Sequence, residues 1–207
     1  MKTISYAITA CNEHVELERL LDQINKHIRP QDEIVVQMDR LATDEVRLVA
    51  DKYNVGNLYE YHRISYMLNN DFATFKNNLK DHCSRDYIFF IDADEYLSDQ
   101  LIEHLPEILA TNEADLYIVP RINTVEGLTQ EHVAKWRWHV NEQGWVNYPD
   151  GQTRIVKNKA GIEWVGKVHE RLMGANAIAT LPAGYDLIHP KTIQRQERQN
   201  ASYSQIK

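Results

Sequence analysis

Tyr87-Ile88-Phe89-Phe90-Ile91-Asp92-Ala93-Asp94-Glu95-Tyr96 is the stretch that decides how this chain folds. Its first five residues are apolar or aromatic, the pattern of a strand buried on both faces. They run straight into three acids within four positions. Side chains alternate along a strand, so Asp92 and Asp94 are expected to point one way and Ala93 the other. Two carboxylates held side by side repel each other, and a divalent cation offsets that most simply. Hard oxygen ligands suit Mg²⁺ or Mn²⁺. An Asp-x-Asp at the carboxyl end of a buried strand is therefore expected to hold a metal–diphosphate.

Upstream, strand and helix patterns alternate. Ile4 to Ile8 reads as a strand that breaks at Thr9-Ala10-Cys11-Asn12, where Asn12 is placed to cap a helix with Leu17, Leu20, Leu21, Ile24 and Ile28 on its apolar face. Pro30 closes that unit, and Glu33 to Asp39 reads as the second strand. Thr43 caps a helix with Val46, Val49, Ala50 and Tyr53 on one side, ending at Asn54 or Gly56. Asn57 to Tyr61 reads as a third strand, and a helix starting at Asp71 leads into the acidic strand. Ser98 caps a further helix, expected to kink or split near Pro106, before a strand at Leu116 to Val119. Strands separated by single helices make a mostly parallel, doubly wound α/β sheet, in which ligands sit outside the carboxyl ends of the strands. Three such ends, Thr9 to Glu13, Asp39, and Asp92 to Glu95, converge on one crevice.

After residue 120 the texture changes. Thr129 to Trp138 reads as helical, Tyr148 to Gln152 as a turn joining two strands, the second of them Thr153 to Lys157. Lys159-Ala160-Gly161 turns the chain into Ile162 to Val165, and a short strand at Asp186 to Ile188 ends at His189-Pro190. The expected division is an α/β region at 1–120, a region of different texture at 121–190, and a polar terminal helix or tail at 191–207.

The chain has 207 residues and 43% hydrophobic residues, enough for a real core. No apolar run approaches the roughly 20 residues that span a bilayer, and Cys11 and Cys83 suggest no disulfide framework, so a reduced, cytoplasmic setting is expected. The net charge of −7 is uneven: residues 1–119 carry 11 Lys and Arg against 22 Asp and Glu, and residues 120–207 carry 12 against 8. All four tryptophans, Trp136, Trp138, Trp145 and Trp164, lie in the second part, where they either fill a small second core or face an anionic or sugar-like partner.

Taken in order, the motifs resemble the family 2 glycosyltransferases of the GT-A fold. They are Ile4 to Glu13 ending Ala10-Cys11-Asn12-Glu13, then Val36-Gln37-Met38-Asp39 with Thr43-Asp44, Lys76-Asn77, and Asp92-Ala93-Asp94. The last is Arg154 to Lys157 leading to Val168-His169-Glu170, similar to a branch of the family with a Val-His-Glu motif. Met38 stands where the family has an acid and Arg40 where it has glycine. The resemblance implies a nucleotide-sugar-binding region at 1–120 and an acceptor and catalytic region at 121–190, with Asp39 binding a uracil base, Glu13 with Ala10 and Cys11 along ribose and base, and Asp92 by the ribose or sugar. Lys76, expected in the nucleotide site, and Arg154, Lys167 and Arg171 are the cations available to neutralise phosphate charge. The resemblance further implies that Asp94, with His189, ligates Mn²⁺ or Mg²⁺. Glu170 is the implied general base, Glu95 the fallback, and Arg154 and His169 are secondary site residues.

The implied activity is inverting, metal-dependent transfer from a nucleotide-sugar donor, expected to be a UDP-sugar, to a hydroxyl acceptor. The acceptor is either a glycan or lipid-type precursor or a hydroxymethylated DNA base, and the negative charge favours the first. Three other readings are weaker. A nucleotidyltransferase is expected to carry a glycine-rich loop after its first strand, and Cys11-Asn12-Glu13-His14 has no glycine. An aspartate-nucleophile phosphatase usually has its Asp-x-Asp on the first strand with Thr or Val two places on, where Tyr96 stands. A non-catalytic nucleotide-sugar-binding module has no need of Asp39, Asp92, Asp94 and Glu170 together.

Overall fold

A computed structural model describes residues 1–203, with a mostly parallel central sheet flanked by helices and a small mixed region beside it. The strands are β1 (Ile4–Ala10), β2 (Glu33–Asp39), β3 (Glu60–Tyr66), β4 (Tyr87–Asp92), β5 (Tyr96–Leu97), β6 (Leu116–Val119), β7 (Arg121–Glu126), β8 (Gln152–Lys157), β9 (Glu163–Val165), β10 (Arg171–Met173), β11 (Ile178–Thr180) and β12 (Leu187–Thr192). The helices are α1 (His14–His27), α2 (Asp44–Lys52), α3 (Phe72–Asp81), α4 (Asp99–Thr111), α5 (Gln130–Trp136) and α6 (Ile193–Tyr203). No helix among the described residues is long and apolar enough to cross a membrane.

The main sheet has the order β11-β6-β8-β4-β1-β2-β3. β1 pairs in parallel with β2 on one side and β4 on the other, so the chain reverses its winding direction between β1 and β4. Strand alternation divides the core between the two faces. Tyr6, Ile8, Ile34, Val36, Phe89 and Ile91 face one core with α1, α2 and α4. Ala7, Val35, Ile88 and Phe90 face a second core with α3 and the β9–β10 hairpin, including Trp164. β8 pairs antiparallel with both β4 and β6, carrying the later half of the chain into the main sheet. A separate three-stranded sheet, β5-β12-β7, stands at the carboxyl end of β4.

Several local expectations need correction. The cap of α1 is Glu13, not Asn12, and its side chain takes the Cys11 and Asn12 amides at 2.8 and 3.0 Å. The third strand lies at Glu60–Tyr66 rather than 57–61, because residues 54–59 form the irregular exit from α2. α4 is one continuous helix through Pro106, capped by Ser98. The segment between α5 and Tyr148 forms no extended strand, and makes only the isolated bridges Val140 to Val146 and Asn123 to Val146. β12 does not end at His189-Pro190, since past Ile188 it pairs with β7 alone, and a strand free on one side tolerates a residue lacking an N–H. Residues 193–203 of the polar terminal segment form α6, and 204–207 lie outside the described residues.

Candidate active site

The carboxyl ends of β1, β2 and β4 meet where the winding reverses, the usual ligand position in such sheets. Thr9 and Asp92 are register partners there, and the Thr9 hydroxyl donates to Asp92 Oδ1 at 2.9 Å. β4 ends at Asp92, and residues 92–95 turn, with the Glu95 amide donating to the Asp92 carbonyl at 2.8 Å. Strand alternation therefore stops before Asp94. The two aspartates do not form a matched pair; each has its own partners.

Asp92, itself partly exposed, belongs to an ionic cluster whose Arg154 and Glu95 are buried. Arg154 Nη2 lies 2.8 Å from Asp92 Oδ2 and 2.7 Å from Glu95 Oε1, and Arg121 Nη1 lies 2.9 Å from the same Glu95 oxygen. Burial pushes the Asp92 carboxyl up, but Arg154 and then Lys76 overcome it and hold the group well below the usual carboxylate range. Burial works against the Arg154 guanidinium too, yet Asp92 and Glu95 raise its pKa. Glu95 is fully buried between two arginines, which removes it as the fallback general base. Arg154 is likewise interior and reaches Asp92 rather than open solvent.

Asp94 faces the small sheet. Its Oδ2 lies 3.1 Å from His189 Nε2. His189 Nδ1 lies 2.9 Å from Asn123 Oδ1, and Asn123 Nδ2 donates to Asp150 Oδ2 at 2.9 Å. The second bond fixes which way the amide faces, so His189 Nδ1 carries a proton and donates it. Nε2 then faces Asp94 Oδ2 and donates to it, and a metal held between the two would take the place of that proton. Burial raises the Asp94 carboxyl, but the His189 hydrogen bond and charge outweigh it and leave it at about 2. One carboxylate oxygen and one imidazole nitrogen facing each other fit Mn²⁺ better than Mg²⁺, which prefers oxygen alone.

Glu170 comes to the crevice on the β9–β10 hairpin. Gly166 and His169 both take left-handed backbone conformations, with φ of 94° and 56°, which bend the loop sharply. The loop is fastened to α3: the Phe72 amide donates to the Lys167 carbonyl, and the Asn77 side chain makes two 2.8 Å bonds with the Trp164 main chain. One position before Asn77, Lys76 Nζ donates to Glu170 Oε1 at 2.7 Å, lies 3.8 Å from Asp92 Oδ1, and sits 4.7 Å from the Trp164 ring centroid. The Lys76-Asn77 pair thus places both the carboxylate and its loop. His169 is exposed at the hairpin tip.

On the β2 side, Asp39 is buried and takes the Leu41 and Leu68 amides at 2.6 and 2.9 Å, tying together the segments after β2 and β3. A groove of about 360 Å³ opens beside it, lined by Arg40, Tyr66, Leu68 and Asp71. Ala10 is buried at the end of β1. Burial, with Glu13 and Asp39 nearby, raises the Cys11 thiol, so it stays protonated and is no nucleophile. A larger groove of about 610 Å³ lies along α1 near Tyr96 and Asp99, and none of the expected site residues lines it.

Glu33, Glu60 and His62 form a group whose ligand atoms lie within 4.8 Å and which could hold a cation. It sits at the amino ends of β2 and β3, about 20 Å along the strands from Asp39. Arg85 already reaches Glu33 and Glu60 there, at 3.6 and 2.9 Å. A resident guanidinium accounts for those acids.

Sequence reading missed Arg121, Asn123, Asp150 and Arg195. Asn123 and Asp150 are ordinary polar residues in sequence, and only the pairing of β7 with β12, which sets Asn123 opposite His189, gives them a role. Arg195 lies in the segment expected to be a polar terminal helix or tail, and its guanidinium contacts Glu13, Glu16 and Asp94.

The family model described as Glycosyl transferase family 2 matches residues 5–168. No curated protein matches the chain. Among solved structures, S. aureus TarS residues 1–349 is similar at a TM-score of 0.64 and 14% identity, over 92% of this chain and 60% of that one. The same TarS fragment in complex with UDP gives 0.65 at 14% identity, over 92% and 60%. Its complex with UDP-GlcNAc gives 0.64 at 16%, over 92% and 59%. The chain thus spans about three fifths of the TarS fragments it resembles.

Proposed function

Because the chain belongs to glycosyltransferase family 2, we propose that it moves a sugar from a nucleoside-diphosphate donor, a UDP-sugar, onto a hydroxyl acceptor with inversion. The observation that carries this reading is the meeting of Asp94, His189 and the Lys76–Glu170 pair at the β1/β4 reversal point. The resemblance to TarS structures holding UDP and UDP-GlcNAc supports the choice of donor.

In this reading Asp39 and the β2-side groove receive the base, and the main chain around Ala10 to Glu13 lies along the ribose. Asp94 and His189 hold Mn²⁺ or Mg²⁺. A cation bound there supplies positive charge where the leaving diphosphate gains negative charge. Glu170 takes the acceptor hydroxyl's proton as the new bond forms, and Lys76 keeps that carboxylate in place. Asp92, fixed by Thr9 and Arg154, shapes the floor under the sugar. A single displacement from the face opposite the leaving group inverts the anomeric centre.

The acceptor side is residues 121–190. Trp164 is core, but Trp136, Trp138 and Trp145 belong to neither core and remain partly exposed. Trp136 and Trp138 lie 4.7 Å apart, centroid to centroid, and Trp145 lies 4.8 Å from Tyr148. Aromatic faces of this kind suit sugar rings, and with a net charge of −7 a glycan or lipid-linked glycan precursor fits better than DNA.

The test is calorimetric titration with UDP and with GDP, with and without Mn²⁺, on the unaltered protein and on Asp94→Asn. Manganese-dependent UDP binding, lost in a folded Asp94→Asn variant, is the expected result. UDP binding that ignores both manganese and the substitution would remove Asp94 from the donor site.

A further inference from the structure

Arg195 lies across the mouth of the crevice. Its Nη2 is 3.1 Å from Glu13 Oε1 and 3.2 Å from Asp94 Oδ2, and its Nη1 is 3.2 Å from Glu16 Oε1. One guanidinium thus ties the helix that follows β1 to the turn that follows β4. The Asp94 oxygen it touches is the one facing His189 Nε2. A divalent cation on that oxygen and a guanidinium at 3.2 Å repel each other, since both are positive and the site is mostly enclosed.

The helix that carries Arg195 is lightly anchored. Ile193 is the one buried residue among its described side chains. Its polar ties include His132 to Glu197 at 3.7 Å, Lys191 to Gln199 at 2.6 Å, and the Arg195 contacts themselves. Such contacts at a surface are individually weak and exchange readily for others. Glu13 also has two separate uses for its oxygens. Oε2 takes the Cys11 and Asn12 amides, so Oε1 can keep Arg195 while Asp94 lets it go. The planar fork of an arginine matches two phosphate oxygens at once.

We infer that Arg195 is an exchangeable counter-charge for the donor site: it occupies the cation's place on Asp94 in the donor-free protein and passes to the donor's diphosphate when metal and nucleotide enter. This rests on the reading under Proposed function and adds to it a donor-binding residue from outside the α/β core. α6 is thereby drawn onto the bound donor, and its seating reports whether the donor is present.

The exchange makes two predictions of opposite sign. In Arg195→Ala, manganese alone binds several-fold more tightly than in the unaltered protein, because its competitor for Asp94 is gone. The same variant binds UDP in saturating manganese about ten- to a hundredfold more weakly, the loss expected for a charge-assisted hydrogen bond. Arg195→Lys keeps a charge but not the fork, so it holds manganese affinity near the unaltered level and binds UDP at an intermediate strength. It also keeps the test standing should the alanine variant misfold. Both ligands are followed by calorimetry, with circular dichroism melts as the check on folding. Two affinities that stay unchanged, or that move together, overturn the exchange while leaving the donor reading intact. An unaltered protein that binds no UDP with manganese overturns the donor reading itself.

Discussion

Asn123 orients His189. The amide oxygen accepts the imidazole Nδ1–H at 2.9 Å, and the amide nitrogen is held by Asp150, so the imidazole is left with Nε2 facing Asp94. These residues come from β7, β12 and the turn after β4, and the pairing of β7 with β12 brings the first two into register. Partners of this kind set the tautomer and direction of a metal-binding histidine.

Asn123→Ala should therefore weaken Mn²⁺ binding in the presence of UDP by about ten- to a hundredfold, with the fold retained. Calorimetric titration of manganese at saturating UDP checks this. Affinity equal to that of the unaltered protein would mean that Asn123 merely supports the small sheet.

Glu170→Gln separates proton transfer from binding. The amide is the same size, and the hairpin stays fastened through Phe72, Lys167, Asn77 and Trp164. UDP release from a UDP-sugar should fall by about 10²–10⁴-fold, the usual worth of a general base, while UDP affinity holds. Persistent turnover would place the base on another residue of the hairpin or of the aromatic segment, since Glu95 is walled in by Arg121 and Arg154.

Glu95 is a structural acid. It balances two arginines inside the protein and also takes the Asp92 amide at 3.2 Å. Removing one partner of a buried ionic group leaves the others unpaired, at a cost of about 3–5 kcal/mol. Glu95→Gln should accordingly lower the midpoint of thermal unfolding by about 10 °C, measured by calorimetry or circular dichroism. A melt like that of the unaltered protein would show the arginine cluster to be self-sufficient.

The parts legible in the sequence were those set by short-range pattern. The buried strand ending at Asp92 and the caps Thr43, Asp71 and Ser98 all stand where their residue types placed them. Asp94 illustrates the limit: alternation put it beside Asp92, but the chain turns directly after β4, and the two carboxylates have separate partners. Asn123, Asp150 and Arg195 were not legible as site residues because their roles depend on contacts between segments far apart in the chain. Nothing within a few positions of Arg195 suggests that it reaches Glu13, 182 residues away.

Glu33 makes the last prediction, on acid stability. It is fully buried at the start of β2, where Oε1 accepts from the Ser5 hydroxyl and the Ser84 amide, each at 2.6 Å, and Oε2 accepts from the Ser84 hydroxyl at 2.7 Å. Burial alone would raise its pKa, but these donors, with Arg85, bring it below the usual 4.5. A carboxyl whose folded-state pKa is depressed adds stability that is complete above its unfolded value and is lost as pH falls through its folded one. Glu33→Gln offers one acceptor oxygen in place of two and places an amide donor against other donors. The unaltered protein should be more stable than the variant by about 1–3 kcal/mol at neutral pH, and that margin should shrink as the pH falls below 4.5. Urea unfolding midpoints measured at about pH 7 and about pH 3 decide the matter. A margin equal at both would show that the Glu33 hydrogen bonds hold regardless of charge.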